Sequence, residues 1–426
     1  MLGGFVALLE VEGLTVRRGT KTILDNVRLT VDSGDCVILT GENGSGKSTL
    51  IESIAGILPI QSGSSKIVKP FGLTLQSGGI NGDELVQERL EYSAQVAGIR
   101  DSGGLLTWWG LEHRRHDRIG QLSGGLYRRM AVLQGLMPAY GGESRICLLD
   151  EPSEGLDDAS VEILISDIAT LRDRGHAFLI ATHDPRLHKC ATMMLELGGE
   201  SNEMSPTSLD TGVKSTDTPL LDSTDSKLSL SKWSSSLDRR TKWPLLSRGT
   251  PLIGSILLLY ALIGNEIGTL VLVPTFLASI PCISSLYHAK DARSGDWWHA
   301  MGSRLVIIDP LTILLILISP IVTASIFGFE YDLNNWFLIG LPFVGIYLAS
   351  GSIYELAHKM PRTQAQFFPL LTLVLIWPLL IVSGSVDECS VGGVCDGMVM
   401  SILFATAIPF IIAFGLPILH PRTASD

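Results

Sequence analysis

Between the apolar run Cys36 to Leu39 and the segment Leu50 to Ile57 the chain reads Gly41-Glu42-Asn43-Gly44-Ser45-Gly46-Lys47-Ser48-Thr49. The run before it reads as a buried strand and the segment after it as a helix, so the nine residues match a GxxxxGK[ST] phosphate loop in its proper context. Glycines there let backbone N–H groups wrap an anion at a helix N-terminus, where the helix dipole favours negative charge. Lys47 is expected to reach the β- and γ-phosphates of ATP and Ser48 to ligand Mg²⁺, with Gly41, Asn43, Gly44, Ser45, Gly46 and Thr49 completing the cradle.

Further along, Ile146-Cys147-Leu148-Leu149 ends in Asp150-Glu151, as expected of a buried parallel strand that delivers carboxylates at its C-terminal edge. Asp150 is expected to hold Mg²⁺, through water, and Glu151 to polarise the attacking water. An apolar run closed by two acids is a weak signal alone. It gains specificity from its place after Leu122-Ser123-Gly124-Gly125 and before Gly155-Leu156-Asp157 and Leu179-Ile180-Ala181-Thr182-His183.

This ordered set resembles the ABC-type ATPases over essentially all of Leu8 to Leu197. The resemblance implies an α/β P-loop NTPase in which Gln76, after Phe71 to Leu75, senses the γ-phosphate, assists at Mg²⁺ and contacts a membrane domain. Asp157 stands for the D-loop and His183 for the switch histidine. Glu151, His183 and Gln76 are thus the expected catalytic set, and Ser48, Asp150 and Gln76 the expected Mg²⁺ set. It also implies a head-to-tail pair, each ATP lying between one copy's phosphate loop and the other's Ser123, Gly124 and Gly125. Since the chain carries one such set, the expected partner is a second copy of itself. Two positions depart from the pattern: Leu126 stands where Gln is usual, and Arg18 where an aromatic often stacks on adenine, so base contact there would be weaker or of the cation–π kind.

Composition separates a soluble part from an apolar one. The 426 residues leave room for two or three domains, and a mean hydropathy of +0.33 is high for a soluble enzyme. Charged and apolar residues interleave up to about Gly198, whereas long apolar blocks dominate after Pro251. A net charge of −11 argues against a nucleic-acid partner, whose phosphates call for Lys and Arg. Met1 to Leu9 lacks a basic flank and runs into Glu10 and Glu12, so it reads as a first strand, not a signal peptide. Six cysteines form no CxxC pair; Cys36, Cys147 and Cys190 read as buried thiols.

The expected organisation is an ATP-binding domain at 1–199, a Ser/Thr/Asp-rich disordered tether at 200–242, and an all-α transmembrane domain at 243–426. Six spans are expected near 244–264, 267–286, 305–329, 336–354, 367–386 and 398–419, with Asn265-Glu266 splitting a stretch too long for one crossing. On that topology Arg239, Arg240, Lys242, Arg248, Lys290, Arg293, Lys359, Arg362 and Arg422 share one side and the acids Glu266, Glu330, Asp332, Asp387 and Glu388 the other. Both termini are therefore expected in the cytoplasm, at an inner membrane. Cys389 and Cys395 then meet in the last external loop, as a disulfide or as two thiols. The loop Tyr287 to Arg304, with Gly295, Asp296, Trp297 and Trp298, is expected to carry a coupling helix near Gln76.

Within that class the two halves resemble the A and B subunits of the cytochrome-c-maturation (Ccm) ABC transporters. The likeness lies in Arg17-Arg18, the acidic-Gly loop Asp291 to Asp296, and a fifth span reading Pro369-Leu370-Leu371 to Trp377-Pro378-Leu379-Leu380-Ile381. The resemblance implies haem handling in cytochrome c biogenesis, with haem held by partner membrane proteins and a haem chaperone. The alternatives are an ABC-2 exporter of lipid, glycan or drug, and a non-transporting ATPase that remodels a membrane complex.

Overall fold

The computed structural model describes residues 7–77, 79–100, 102–198, 204–207, 218–219, 221–222, 253, 256, 272–279, 294–301, 310–327, 333–359, 377–390 and 398–419. The chain divides into two compact units: Met1–Arg240 with Tyr287–Leu305 and Arg422–Asp426, and Thr241–Leu286 with Val306–Pro421.

In the first unit β1 (Ala7–Arg18) pairs antiparallel with β2 (Lys21–Asp32) and with β4 (Ser62–Ile67). Its buried residues Leu9, Val11, Leu14 and Val16 mark one covered face, the opposite one carrying more polar residues. A second sheet has the order β5 (Gly72–Thr74), β6 (Ile146–Asp150), β7 (Ala177–Ala181), β3 (Cys36–Thr40), β8 (Met193–Glu196), β9 (Met204–Pro206), all parallel neighbours except the last pair. Every residue of β6 and β7 is buried, which explains their unbroken apolar sequences: both faces are covered, so no polar alternation survives.

Four helices matter for the site. α1 (Lys47–Ile54) follows β3, α2 (Val86–Val96) follows the end of β5, α4 (Gly124–Leu136) begins at Ser123, and α5 (Asp158–Asp173) begins at Asp157; α3 is the short Gly103–Trp108. The strands bring the C-terminal ends of β3, β6 and β7 side by side, the crevice where parallel sheets bind ligands. The three cysteines of this unit are buried thiols, as the sequence suggested.

Part of the segment expected to be a disordered tether is docked. β9 adds an antiparallel strand to β8, and Thr218 is buried, its hydroxyl donating to Asp167 at 3.0 Å. Leu221 donates its N–H to the Tyr140 carbonyl at 2.9 Å and packs on the core. A polar composition hid this because few anchors suffice: one buried hydroxyl and one leucine meet partners already built into the sheet and helices. The rest of the expected tether lies outside the described residues.

In the second unit α6 (Val273–Ser279), α8 (Pro310–Phe327), α9 (Leu333–Lys359), α10 (Trp377–Ser390) and α11 (Met398–Leu419) are helical; α7 (Ser294–Ala300) belongs to the first unit. The packing is tight: a Cβ on Gly345 of α9 would come within 2.9 Å of Phe410 and Pro409 of α11. Among the described residues no helix is long and apolar enough to cross a membrane. The unit has an apolar core that includes Ile316, Ile339, Phe343 and Ile402, with a few buried hydroxyls and several exposed apolar side chains beside it. Thr275, Ser279, Ser319 and Thr323 are buried, Ser319 donating to the Thr275 hydroxyl at 2.8 Å, while Leu314, Ile318, Val322 and Ile326 form an exposed line along α8. Met400, Leu403, Phe404, Ile411 and Phe414 of α11 are exposed as well. Of the expected span at 244–264 only Ile253 and Ile256 are described, and Glu266 and Cys395 lie outside the described residues.

Candidate nucleotide-hydrolysis site

The phosphate loop connects β3 to α1 and is shaped by glycines where side chains have no room. Gly41 has φ 133° and a Cβ there would fall 2.4 Å from the Leu197 carbonyl oxygen; Gly46 has φ 106° and a Cβ would meet Leu24 at 2.7 Å. Lys47 is buried within the loop, its Nζ donating to the carbonyls of Gly41 at 2.8 Å and Glu42 at 3.1 Å. The Ser45 hydroxyl is buried without a hydrogen-bond partner, while Asn43 and Gly44 are exposed and Thr49 is buried in α1.

Asp150 closes β6 and is buried, with the Ser48 hydroxyl hydrogen-bonded to it and its Oδ1 left without a hydrogen-bond partner. A buried carboxylate oxygen lacking a partner, beside a serine hydroxyl, is a donor set suited to a hard cation, so Mg²⁺ fits these residues. Glu151, next in the chain, has φ 47°, a left-handed conformation that non-glycine residues seldom adopt. Several contacts hold it there. Its N–H donates to the Ala181 carbonyl at 2.8 Å, the His183 N–H donates to its Oε2 at 3.2 Å, and the His183 ring Nε2 lies 3.5 Å from its Oε1. Glu151 and His183 are therefore brought together.

Burial, more than any other influence, pushes the Asp150 carboxyl up to about 6; Glu151 and Glu52 act in the same direction, Ser48 and Arg128 against it. Because this value lies above the ordinary 3.8, the metal-free fold favours the neutral acid. That stabilisation is fully present below pH about 3.8 and is lost as pH rises through about 6. Mg²⁺ binding has the opposite sign because it needs the carboxylate. Titration calorimetry of Mg²⁺ with ATP is expected to show affinity weakening by on the order of tenfold per pH unit below pH about 6. An affinity flat from pH 5 to 8 would remove Asp150 from the metal site.

The signature residues form a separate cluster. Ser123 and Gly124 are exposed; Ser123 caps α4, its hydroxyl accepting the Leu126 N–H at 3.4 Å. Leu126 is partly buried against the core, so at the position where Gln is usual this chain packs a side chain. Asp157 caps the sequence of α5 and accepts from Arg129 of α4 at 2.8 Å, and a Cβ on Gly125 would stand 3.3 Å from the Gly155 carbonyl. The D-loop and signature thus adjoin each other, while no contact described here joins either to Lys47 or Ser48. Gln76 is exposed at the end of β5, and the contact described for it is through its carbonyl.

That carbonyl leads to a residue the sequence reading missed. Arg128, buried in α4, donates Nη1 to the carbonyls of Leu75 at 3.0 Å and Gln76 at 3.2 Å, and Nη2 to the carbonyl of Asp150 at 2.7 Å and to that of Glu151. One guanidinium ties the signature helix, the Gln76 loop and the backbone of Asp150-Glu151. Its signal in the sequence was only an arginine beside another, Arg129, one turn into α4. Arg18 is also accounted for: its Nη2 pairs with Glu52 of α1 at 3.0 Å, leaving the guanidinium half exposed beside the phosphate-loop helix.

A loop-held lysine, a hydroxyl–carboxylate pair suited to Mg²⁺, a carboxylate with a histidine beside it and a separate Ser-Gly-Gly helix cap define a P-loop ATPase of the cassette kind. A family model described as ABC transporter matches residues 24–154. The cytochrome c biogenesis ATP-binding export protein CcmA of Gluconobacter oxydans is 35% identical over 178 residues, which cover 42% of this chain and 82% of that protein. The macrolide export ATP-binding/permease protein MacB of Acinetobacter baylyi is 33% identical over 219 residues, covering 45% of this chain but only 32% of that protein. Among solved structures, an ATP-binding subunit of an ABC transporter matches with TM-score 0.43 and 22% identity over 54% of this chain and 99% of that chain. A bacterial ABC transporter cassette solved as a dimer gives TM-score 0.41 and 21% identity over 46% and 98%.

The chain belongs to the ABC transporter family. It binds ATP, and its hydrolysis of ATP is coupled to transport.

Proposed function

We propose that the chain fuses an ABC ATPase to a membrane permease and works as a head-to-tail dimer in an inner membrane, handling haem for cytochrome c biogenesis. The exposed apolar side chains of α8 and α11 support the membrane assignment. A row of half-exposed Leu, Ile and Val along α8 is unfavourable against water and favourable against lipid, since complete burial of such a side chain is worth roughly 1.5–3 kcal/mol and each forgoes about half of it in water. The separation of the two clusters supports the dimer: Ser123, Gly124 and Gly125 stand at the start of α4, where a helix N-terminus favours an anion, and in this reading a second copy's phosphate loop completes the ATP site.

In that reading Lys47 and the loop N–H groups hold the phosphates, and Ser48 and Asp150 hold Mg²⁺, which when bound draws charge from the phosphate oxygens. Glu151 orients the attacking water and accepts its proton, with His183 holding the carboxylate in place.

The haem assignment rests on the likeness to CcmA over most of that protein's length. The likeness to MacB, itself an ATP-binding/permease protein, favours a second reading in which the fused chain exports a drug-like molecule. A deletion strain separates them. Under the first reading its c-type cytochromes lose covalent haem, and wild-type chain restores it where Glu151→Gln does not. Unchanged haem staining with new sensitivity to macrolides would favour the second.

A further inference from the structure

Arg89 of α2 is completely buried, yet it is charged and only partly matched. Its Nε donates to the Gln134 side-chain oxygen at 2.7 Å, its Nη1 lies 3.4 Å from Glu84, and its Nη2 has no hydrogen-bond partner. Over the guanidinium sit two buried tryptophans of α7, Trp297 with its ring centroid 4.0 Å from the guanidinium carbon and Trp298 at 5.3 Å. The two rings meet edge to face at 5.0 Å, and Trp298 meets Tyr92 of α2 likewise at 6.5 Å.

A buried cation costs several kcal/mol in desolvation unless its surroundings answer it, and packed apolar residues would serve mere stability as well. The aromatic faces answer part of it. The geometry also has a direction. Gln134 lies in the last turn of α4, Ser123 caps that helix's first turn, and Arg128 between them holds the carbonyls of Gln76 and Glu151. A helix of 13 residues spans about 20 Å at 1.5 Å per residue and moves as a rod.

We propose that Arg89 is the positioning residue through which the Trp297–Trp298 helix sets α4, and with it the signature residues at the far end of that helix. The inference rests on the transporter reading above and names the side chains that would carry its coupling. A shift of the tryptophans moves the guanidinium, the guanidinium pulls Gln134, and the rod transmits the displacement to Ser123. The path therefore runs through the signature helix, parallel to any contact made by Gln76.

The test uses the full chain in lipid nanodiscs, with ATP alone as the probe. Trp297→Ala is expected to lower kcat roughly three- to thirtyfold while KM for ATP stays within about twofold, the range of coupling energies seen for residues touching neither ligand. Trp297→Phe, which keeps a ring over the cation, restores most of the rate. Gln134→Met gives a similar loss, and the double variant Trp297→Ala/Gln134→Met is no slower than the worse single, because both break one path. Losses that multiply in the double variant, a rise in KM with kcat unchanged, or no rescue by Phe would overturn the proposal. Glu151→Gln in the same nanodiscs keeps the two readings apart. If it hydrolyses ATP at the wild-type rate, the catalytic reading itself fails; if it is inactive while Trp297→Ala and Gln134→Met turn over normally, only the Arg89 path fails.

Discussion

Replacing Glu151 by Gln is expected to lower ATP turnover by about 10²–10⁴-fold, the usual worth of a positioned general base, with ATP binding retained. The amide keeps the size of the side chain and can still accept the His183 N–H, now 3.2 Å from Oε2, so the local backbone survives. What disappears is the negative charge that orients water and takes its proton. Phosphate release under single-turnover conditions, beside an ATP-binding isotherm, measures both quantities. Turnover within twofold of wild type would move catalysis to another residue, and lost binding would show that Glu151 shapes the phosphate loop. The φ of 47° makes a third outcome informative. Glu151→Gly would relieve backbone strain, of order 1–3 kcal/mol, so this variant should melt no lower than Glu151→Gln while being equally inactive.

Arg128→Leu is expected to be the most damaging single change in the ATPase unit. It strands the buried carbonyls of Leu75 and Asp150, and at about 1–3 kcal/mol for each unsatisfied buried group the loss is about 2–6 kcal/mol. The same guanidinium also holds the carbonyls of Gln76 and Glu151, so residual folded protein should hydrolyse ATP poorly. Arg128→Lys keeps the charge but replaces a planar fork by a single ammonium, which cannot span two carbonyl pairs in opposite directions. It should recover part of the stability and little of the turnover. Urea denaturation followed by circular dichroism, with ATPase rates on the same samples, gives both numbers. A loss below about 0.5 kcal/mol, the scale of an ordinary surface substitution, would mean that the carbonyls find other donors.

The strand–loop–helix that carries Lys47 was legible because its backbone is dictated locally. A strand, a glycine turn and a helix beginning with Lys47 leave few alternatives, and β3 and α1 lie within a residue or a turn of where the sequence placed them. Asp150 and Glu151 were legible for a related reason, since a strand buried on both faces reads as an apolar run and its end is marked by the first charges. Arg128, Arg89 and Thr218 carried no such mark. Arginine and threonine are usually solvated, and nothing in a linear pattern says that a guanidinium will face four carbonyls or two indoles. The docking of Thr218 on Asp167 joins positions 51 residues apart, and Arg89 meets Trp297 across a far longer stretch of chain.

By itself the sequence determined the local machinery: the glycine conformations, the order of nucleotide motifs, the paired carboxylates and the change from interleaved to apolar composition. Each of these follows from short-range sterics or from the solvent a segment can face. Only the tertiary structure decided that Glu151 sits strained beside His183, that one arginine of the signature helix grips the backbone at both Gln76 and the C-terminal end of β6, and that two tryptophans from a distant loop cover Arg89. Those outcomes depend on which buried polar groups find partners once the layers close. That is a property of the packed whole, because a donor's partner is chosen in space and not along the chain.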